Sequence, residues 1–143
     1  MKKLIILILI LVISASGISL YMYFKPSRDL AKVKPEIVIS AKKFIEDYAS
    51  DETSGNEKYV GKIIEVSGSL YGIQNTVKGI STIFLEDDFF GISCSLDSVY
   101  SMSVKSILDS SKEGRPISIK GRCNGILTNI QMSNCVLVES SVE

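Results

Sequence analysis

The chain has no histidine and no tryptophan, only three cysteines and three prolines among 143 residues, and no excess of either charge, with 16 basic against 16 acidic side chains. Without histidine there can be no Ser-His-Asp or Cys-His nucleophile, no imidazole-ligated zinc, and no side chain that titrates unperturbed near neutral pH. Three cysteines fall one short of a four-thiolate structural zinc site. No Gly-rich phosphate loop is present, and no nucleophile stands at readable spacing from a base. These absences point to a protein that binds rather than catalyses, with no metal or cofactor expected. The length allows one domain at most.

The balanced charge hides an asymmetry. The first 35 residues hold six of the 16 basic residues, Lys2, Lys3, Lys25, Arg28, Lys32 and Lys34, against Asp29 alone. The remainder therefore carries ten basic and fifteen acidic residues, a net of −5. An acidic folded part repels phosphate backbones, whereas nucleic-acid modules present a basic stripe, so a nucleic-acid partner is disfavoured.

Leu4 to Phe24 is an uncharged run of 21 residues, LIILILILVISASGISLYMYF. As a helix rising about 1.5 Å per residue it spans the roughly 30 Å hydrocarbon core of a bilayer. Tyr21, Tyr23 and Phe24 gather at its far end ahead of Lys25 and Pro26, as an interfacial belt and a stop would. The run reads as a single membrane anchor. A cleaved signal peptide with Ser14 and Ser16 before the cut is the competing reading, and the apolar stretch that continues beyond that point argues against it. Lys2 and Lys3 suit a cytoplasmic N-terminus with the rest exported, although the flank after the run is at least as basic. The expected organisation is a tip at 1–3, an anchor at 4–24, a linker at 25–35 and an exported domain at 36–143.

Within that domain, Ser40 is placed to cap a helix with Ala41, Phe44, Ile45, Tyr48 and Ala49 on one face. Asp51 to Tyr59 adds a weaker helical turn, interrupted by Gly55. After Gly61 the apolar period changes from 3.6 to 2. Lys62 to Ile73 reads as a long first strand bent at Gly68, Ile80 to Glu86 as a second, and Phe90 to Leu96 as a third in which Phe90, Ile92, Cys94 and Leu96 point inward. A helix with Tyr100, Val104, Ile107 and Leu108 on its stripe follows, then a strand at Arg115 to Cys123. In the last strand, Ile130 to Val138, Asn134 falls in the apolar phase unless a bulge rephases it.

Three strands, a helix and two strands, after a coiled first strand and preceding helices, fit the five-stranded Greek-key barrel of the OB fold, a mainly β architecture whose helix lies between strands three and four. A mixed open sheet is the alternative. The expected barrel core is Ile64, Val66, Leu70, Ile83, Leu85, Ile92, Leu96, Ile117 and Ile119.

The runs KYVGKIIEVSG at 58–68, GISCS at 91–95, ISIKGRCNG at 117–125 and NCVL at 134–137 together resemble the tRNA-anticodon-binding-like OB-fold family of membrane-anchored bacterial proteins. The resemblance covers roughly Ala41 to Val138. It implies an exported OB domain, and it brings no catalytic or cofactor residues.

Tyr71, Phe84 and Phe89 are the candidate binding face, because OB folds take oligonucleotides and oligosaccharides on the outer surface of their first three strands. Ordinary cross-strand packing of these aromatics is the blander reading. Glu86, Asp87 and Asp88 could gather a hard cation, but adjacent carboxylates without loop spacing are usually a solvated hairpin tip. Lys120 and Arg122 form a small basic spot of the usual solvated kind. Cys123 and Cys135 are the candidate disulfide, contingent on export, with Cys94 as the alternative partner and three free thiols as the reducing-compartment alternative. The expected function is a membrane-tethered binding module for an envelope protein or a glycan. A cytoplasmic single-stranded nucleic-acid-binding domain is the second possibility.

Overall fold

In the computed structural model, which describes residues 30–76, 79–87 and 89–138 together with Gly17, the change of period at Gly61 divides a helical hairpin from a barrel. The expected tip and all but one residue of the expected anchor lie outside the described residues. Among the described residues no helix is long and apolar enough to cross a membrane.

A short strand β1 (Ile37–Ser40) leads into α1 (Ala41–Ser50) and α2 (Glu52–Tyr59). Ser40 caps α1 as the sequence predicts, its hydroxyl accepting the Lys43 N–H at 3.4 Å. Asp51 ends α1 and caps α2, accepting from the Thr53 N–H at 3.0 Å and the Ser54 hydroxyl at 2.6 Å. Gly55 lowers the helix propensity of α2, yet a Cβ there would lie 2.7 Å from the Tyr48 ring. The missing side chain lets the two helices close on Tyr48. Phe44, Tyr48 and Tyr59 then form an edge-packed aromatic group with centroids 4.8 to 5.9 Å apart.

Asp47 staples this hairpin from outside. Its carboxylate takes Lys43 at 2.8 Å, Lys58 at 2.9 Å and the Tyr59 hydroxyl at 2.5 Å. The hydrogen bond from Lys43, then those from Tyr59 and Lys58, hold this carboxyl well below the usual carboxylate range.

The barrel strands are β2 (Ile63–Asn75), β3 (Ser81–Leu85), β4 (Ile92–Leu96), β5 (Pro116–Ile126) and β6 (Ile130–Leu137), with α3 (Ser98–Ser110) between β4 and β5. They run β2-β3-β4-β6-β5, and β5 returns to β2 from Ile63↔Arg122 to Ser69↔Pro116, so the ring is closed. β4 and β6 are parallel, and the other ring pairs are antiparallel. This is the expected OB arrangement with its helix in the expected place.

The long first strand serves three neighbours. Its first half pairs with β1 and β5, its second half with β3. The exchange happens at Gly68, where a Cβ would sit 2.6 Å from the Ala41 side chain. Glu86 fills the gap between β1 and β3, its Oε1 accepting the Ser69 N–H at 3.0 Å and its own N–H donating to the Ser69 carbonyl at 2.9 Å. Reaching it requires a left-handed backbone at Glu86, φ 67°.

Eight of the nine expected core residues are buried, and Ile117, opposite the side-chain-free Gly68, is half-buried against them. Several expectations change. Phe90 is outside β4 and exposed, because the chain doubles back so tightly that a Cβ on Gly91 would collide with the Asp87 and Leu85 carbonyls. α3 buries Ser101, Val104 and Leu108, leaving Ile107 on the surface. The expected linker is packed from Leu30 onward, where Leu30 joins Ile63 and Val136 with Val33 and Tyr100 alongside. Lys120 is no solvated cation: it is 8% exposed, and its ammonium donates to the Ala31 carbonyl at 3.1 Å and the Val33 carbonyl at 2.8 Å. Arg122, two residues on, is exposed.

Candidate functional site

Side chains of a barrel strand alternate between the core and the outer wall. On β3, β4 and β6 the inward set is Ile83, Leu85, Ile92, Cys94, Leu96, Ile130 and Met132, so the outward set is Thr82, Phe84, Ser93, Ser95, Gln131 and Ser133. The register aligns Phe84 with Ser93 and Ser93 with Gln131, giving one row across three strands, and aligns Thr82 with Ser95 in the next. Gly72 faces Phe84 from β2. Phe84 thus stands between a glycine and a serine in the register and is half-buried, and Ser93 itself is 6% exposed.

Every hydrogen-bonding group on these two rows is an uncharged hydroxyl or amide. Gln131 donates through its amide to the Asn129 side chain, and Ser133 donates to the Asn124 amide oxygen at 3.2 Å. Where the β4 row meets α3, a cavity of about 300 Å³ opens between Ile80, Ser95, Asp97, Ser98, Ser133 and Asn134. Asp97 is the one ionisable group on that list.

The three aromatic residues expected to form a face lie on β2, on β3 and in the loop after β3. Phe84 is half-buried on β3. Tyr71 is 44% exposed at the point where β2 slips register between Leu70 and Gly72. Phe89 is 74% exposed in the loop after β3, its N–H held by the Asp87 carboxylate at 2.9 Å. The sequence reading did not single out Ser93, Gln131 or Asn129. Ser93 carries the outward phase of its strand, a signal that was visible; Gln131 lies in the strand whose alternation is broken by the bulge.

Of the expected acidic tip, Asp88 lies outside the described residues, and the other two carboxylates point to different partners. Glu86 turns its carboxylate back to Ser69, and Asp87 Oδ1 takes the Phe89 N–H. Among the described residues no group of three His, Cys, Asp or Glu side chains could hold a metal ion.

The three cysteines are buried free thiols. Cys123 stands opposite Met132 rather than Cys135, and its sulfur meets the Tyr48 hydroxyl at 3.5 Å. The expected bulge is present: Asn134 and Cys135 together face Gly121, and Asn134 adopts φ 53°. It turns Cys135 inward over Gly121, where a Cβ would come within 2.5 Å of the Cys135 sulfur. Burial, and then a hydrogen bond to Cys94, push the Cys135 thiol well above its ordinary range. The structure therefore brings Cys135 beside Cys94, the alternative partner, and sets Cys123 against α1.

Comparison with solved structures gives the same architecture. A Klebsiella pneumoniae lipoprotein, whose name proposes nucleic-acid binding, superposes with a TM-score of 0.58 at 18% identity over 79% of this chain and 98% of that one. Asparaginyl-tRNA synthetase from Entamoeba histolytica aligns more loosely, with a TM-score of 0.41 at 20% identity over 55% of this chain and 21% of the enzyme. The Stn1-Ten1 complex of S. pombe gives 0.42 at 13% identity over 53% and 57% of the respective chains. No curated protein matches. The tRNA_anti-like family model matches residues 1–140. With the closed five-stranded barrel, its interposed helix and this match over nearly the whole length, the chain belongs to the tRNA_anti-like family.

Proposed function

We propose that the protein is a membrane-tethered, exported binding module whose β3–β4–β6 wall takes a neutral, hydroxyl-rich ligand, a glycan in preference to a polyphosphate. One observation carries this reading: the wall offers a half-exposed aromatic ring, Phe84, amid serine, threonine and glutamine side chains, with no cation among the described residues of β3, β4 and β6 in these rows and a single one, Arg122 of β5, opposite Ser133 at their edge. An aromatic platform beside neutral donors and acceptors matches the apolar face and hydroxyl rim of a sugar ring. A single strand of nucleic acid needs a cationic groove along its backbone as well. The net charge of −5 after residue 35 works against that. The tether is the uncharged run Leu4 to Phe24, and export follows from Lys2 and Lys3 ahead of it. No proton-transfer or phosphoryl-transfer constellation accompanies the face, so the protein acts by binding.

The family and the name of the Klebsiella lipoprotein favour a second reading, single-stranded nucleic acid on the same wall. Titrating the purified full chain with neutral oligosaccharides and with single-stranded oligonucleotides, each over a range of salt, separates the two. Saccharide binding that ignores salt and is lost in Phe84→Ala supports the glycan reading. Oligonucleotide binding near micromolar at physiological salt, falling steeply as salt rises, replaces it. A reporter fused after Glu143 that is active only in an exported, oxidising compartment tests the orientation, and cytoplasmic activity would reverse it.

A further inference from the structure

The domain does not hang from a free linker. Leu30 is buried at 3% exposure with Ile63 and Val136, and Lys120 grips the carbonyls of Ala31 and Val33. The chain is therefore fixed to the outer wall of β2, β5 and β6 from Leu30 onward. The uncharged run ends at Phe24, so only Lys25 to Asp29 lie between them. Fully extended, that stretch reaches roughly 20 Å. If the run is the membrane anchor, as in the reading above on which this inference rests, the Leu30 side of the barrel sits within about one domain radius of the bilayer surface.

Beside Leu30 lies the first turn of α3. Tyr100 packs against the Leu30, Ile63 and Val136 group, and its hydroxyl accepts the Leu137 N–H at 3.0 Å. Val99 and Met102, on the turn that carries Tyr100, point away from the core and are 74% and 71% exposed. At helical spacing they share their face with Ser103 and Ser106, so this surface is uncharged, two apolar side chains beside two hydroxyls, where it adjoins the tethered wall. Lys105 and Asp109 flank it. Lys25, Arg28, Lys32 and Lys34 concentrate basic charge along the approach from the membrane, where anionic headgroups attract it.

We propose that the exposed face of α3 around Val99 and Met102 docks on the bilayer surface that holds the anchor, seating these side chains in the headgroup region. The short tether supplies the proximity, the strap under Lys120 supplies the orientation, and the uncharged face supplies the contact.

The chain has no tryptophan, so one introduced indole reports a single position. Val99→Trp and Tyr71→Trp are made in the full chain and reconstituted into vesicles of phosphatidylethanolamine and phosphatidylglycerol with brominated acyl chains. Both sites are surface positions, and matched thermal unfolding verifies the fold. Emission from Val99→Trp is expected to be blue-shifted and quenched several-fold more than that from Tyr71→Trp. Adding Met102→Asp to Val99→Trp is expected to abolish most of that difference, which separates docking by the natural face from insertion of the indole alone. Equal quenching at the two sites, in a chain that stays with the vesicles through alkaline extraction, overturns the docking and leaves the anchor standing. A chain released by alkaline extraction removes the anchor reading and the docking with it.

Discussion

Two walls of one barrel are finished in opposite ways. The β2–β5 seam is covered by its own chain: Leu30 to Val33 lies over it, Ile63 and Val136 are buried under that segment, and even Lys120 is drawn in to satisfy backbone carbonyls. The β3–β4–β6 wall has the same outward geometry, with Ser93 buried and Thr82, Phe84, Ser95, Gln131 and Ser133 half-buried. It keeps a half-exposed Phe84, small hydroxyls and an amide. An outward position in a small barrel is therefore not solvent-facing by default. Its fate depends on whether another segment is held over it, and the more open wall carries uncharged outward side chains on β3, β4 and β6, with exposed Arg122 opposite Ser133 at its β5 edge.

The largest expected effect lies behind both walls, in the core they share. Ile119→Ala, at a fully buried position of β5, should cost about 2 to 5 kcal/mol in chemical denaturation. Its neighbour Ser118, whose hydroxyl meets that of Ser67 at 2.8 Å on the outer surface, should change stability by only about 0.5 kcal/mol when replaced by Ala. Equal effects at 118 and 119 would mean that β5 is out of phase.

Next comes the covered wall. Lys120→Met removes the donor that holds two carbonyls, and leaving them without that partner should cost about 1 to 3 kcal/mol. The loss should be local, with amide exchange quickening around Val33 while β3 and β4 keep their protection. Uniform quickening across the barrel would show instead that the strap is part of the cooperative fold.

The hairpin staple should matter less. Asp47→Asn should cost about 1 kcal/mol or less at neutral pH, because the carboxylate's partners Lys43 and Lys58 are solvent-exposed. Its native carboxyl is held below the ordinary value, so the contribution is complete above the unfolded carboxyl's pKa of about 4 and disappears as pH falls through the lower native value. The difference between the two proteins should accordingly shrink on acidification, and urea titrations at neutral and acidic pH would show a widening gap only if this sign is wrong. Smallest of all, Phe89→Ala on the open side should leave stability within about 0.5 kcal/mol, read as an unchanged melting curve.

The barrel was largely legible because period-2 alternation records which side of a strand is buried, and the phase holds from Ile64 through Leu96 and again at Ile119. The bulge was legible from its defect: Asn134 in an apolar phase has no other physical remedy within a strand. The Ser40 cap was a local signal with a local partner. What alternation cannot record is a cover supplied from far away. Lys120 follows its strand's outward phase and is buried only because Leu30 to Val33, almost ninety residues earlier, lies over it. Two apolar residues in a basic stretch gave too short a pattern to announce that segment. β1 was not legible because its alternation, Ile37 and Ile39 inward against Val38 and Ser40, spans only four residues, and the outward Val38 is itself apolar. Phe90 misled because a strand-like phase continues through it, while the backbone constraint that removes it from the strand sits on Gly91. Of the candidate site, the aromatic residues were readable by phase. The neutral rows were not, since they exist only once β6 is laid parallel to β4.

Closing the ring joins residues about 50 positions apart, as in Ser67 and Ser118, whereas β3 and β4 meet across a short loop. The entropy of bringing β5 to β2 must be met before that pairing gives anything back. The β2–β3–β4 meander can assemble from nearby contacts as the chain is synthesised, while its open edge waits for the last third of the chain. Seam closure is then the late event in maturation, and pulse-labelled exchange should protect Ile83 and Leu85 before Ile119. A chain truncated before β5 would present the unpaired edge of β2 to its neighbours, which makes the seam, rather than the β3–β4–β6 wall, the place where an interrupted synthesis turns into aggregation.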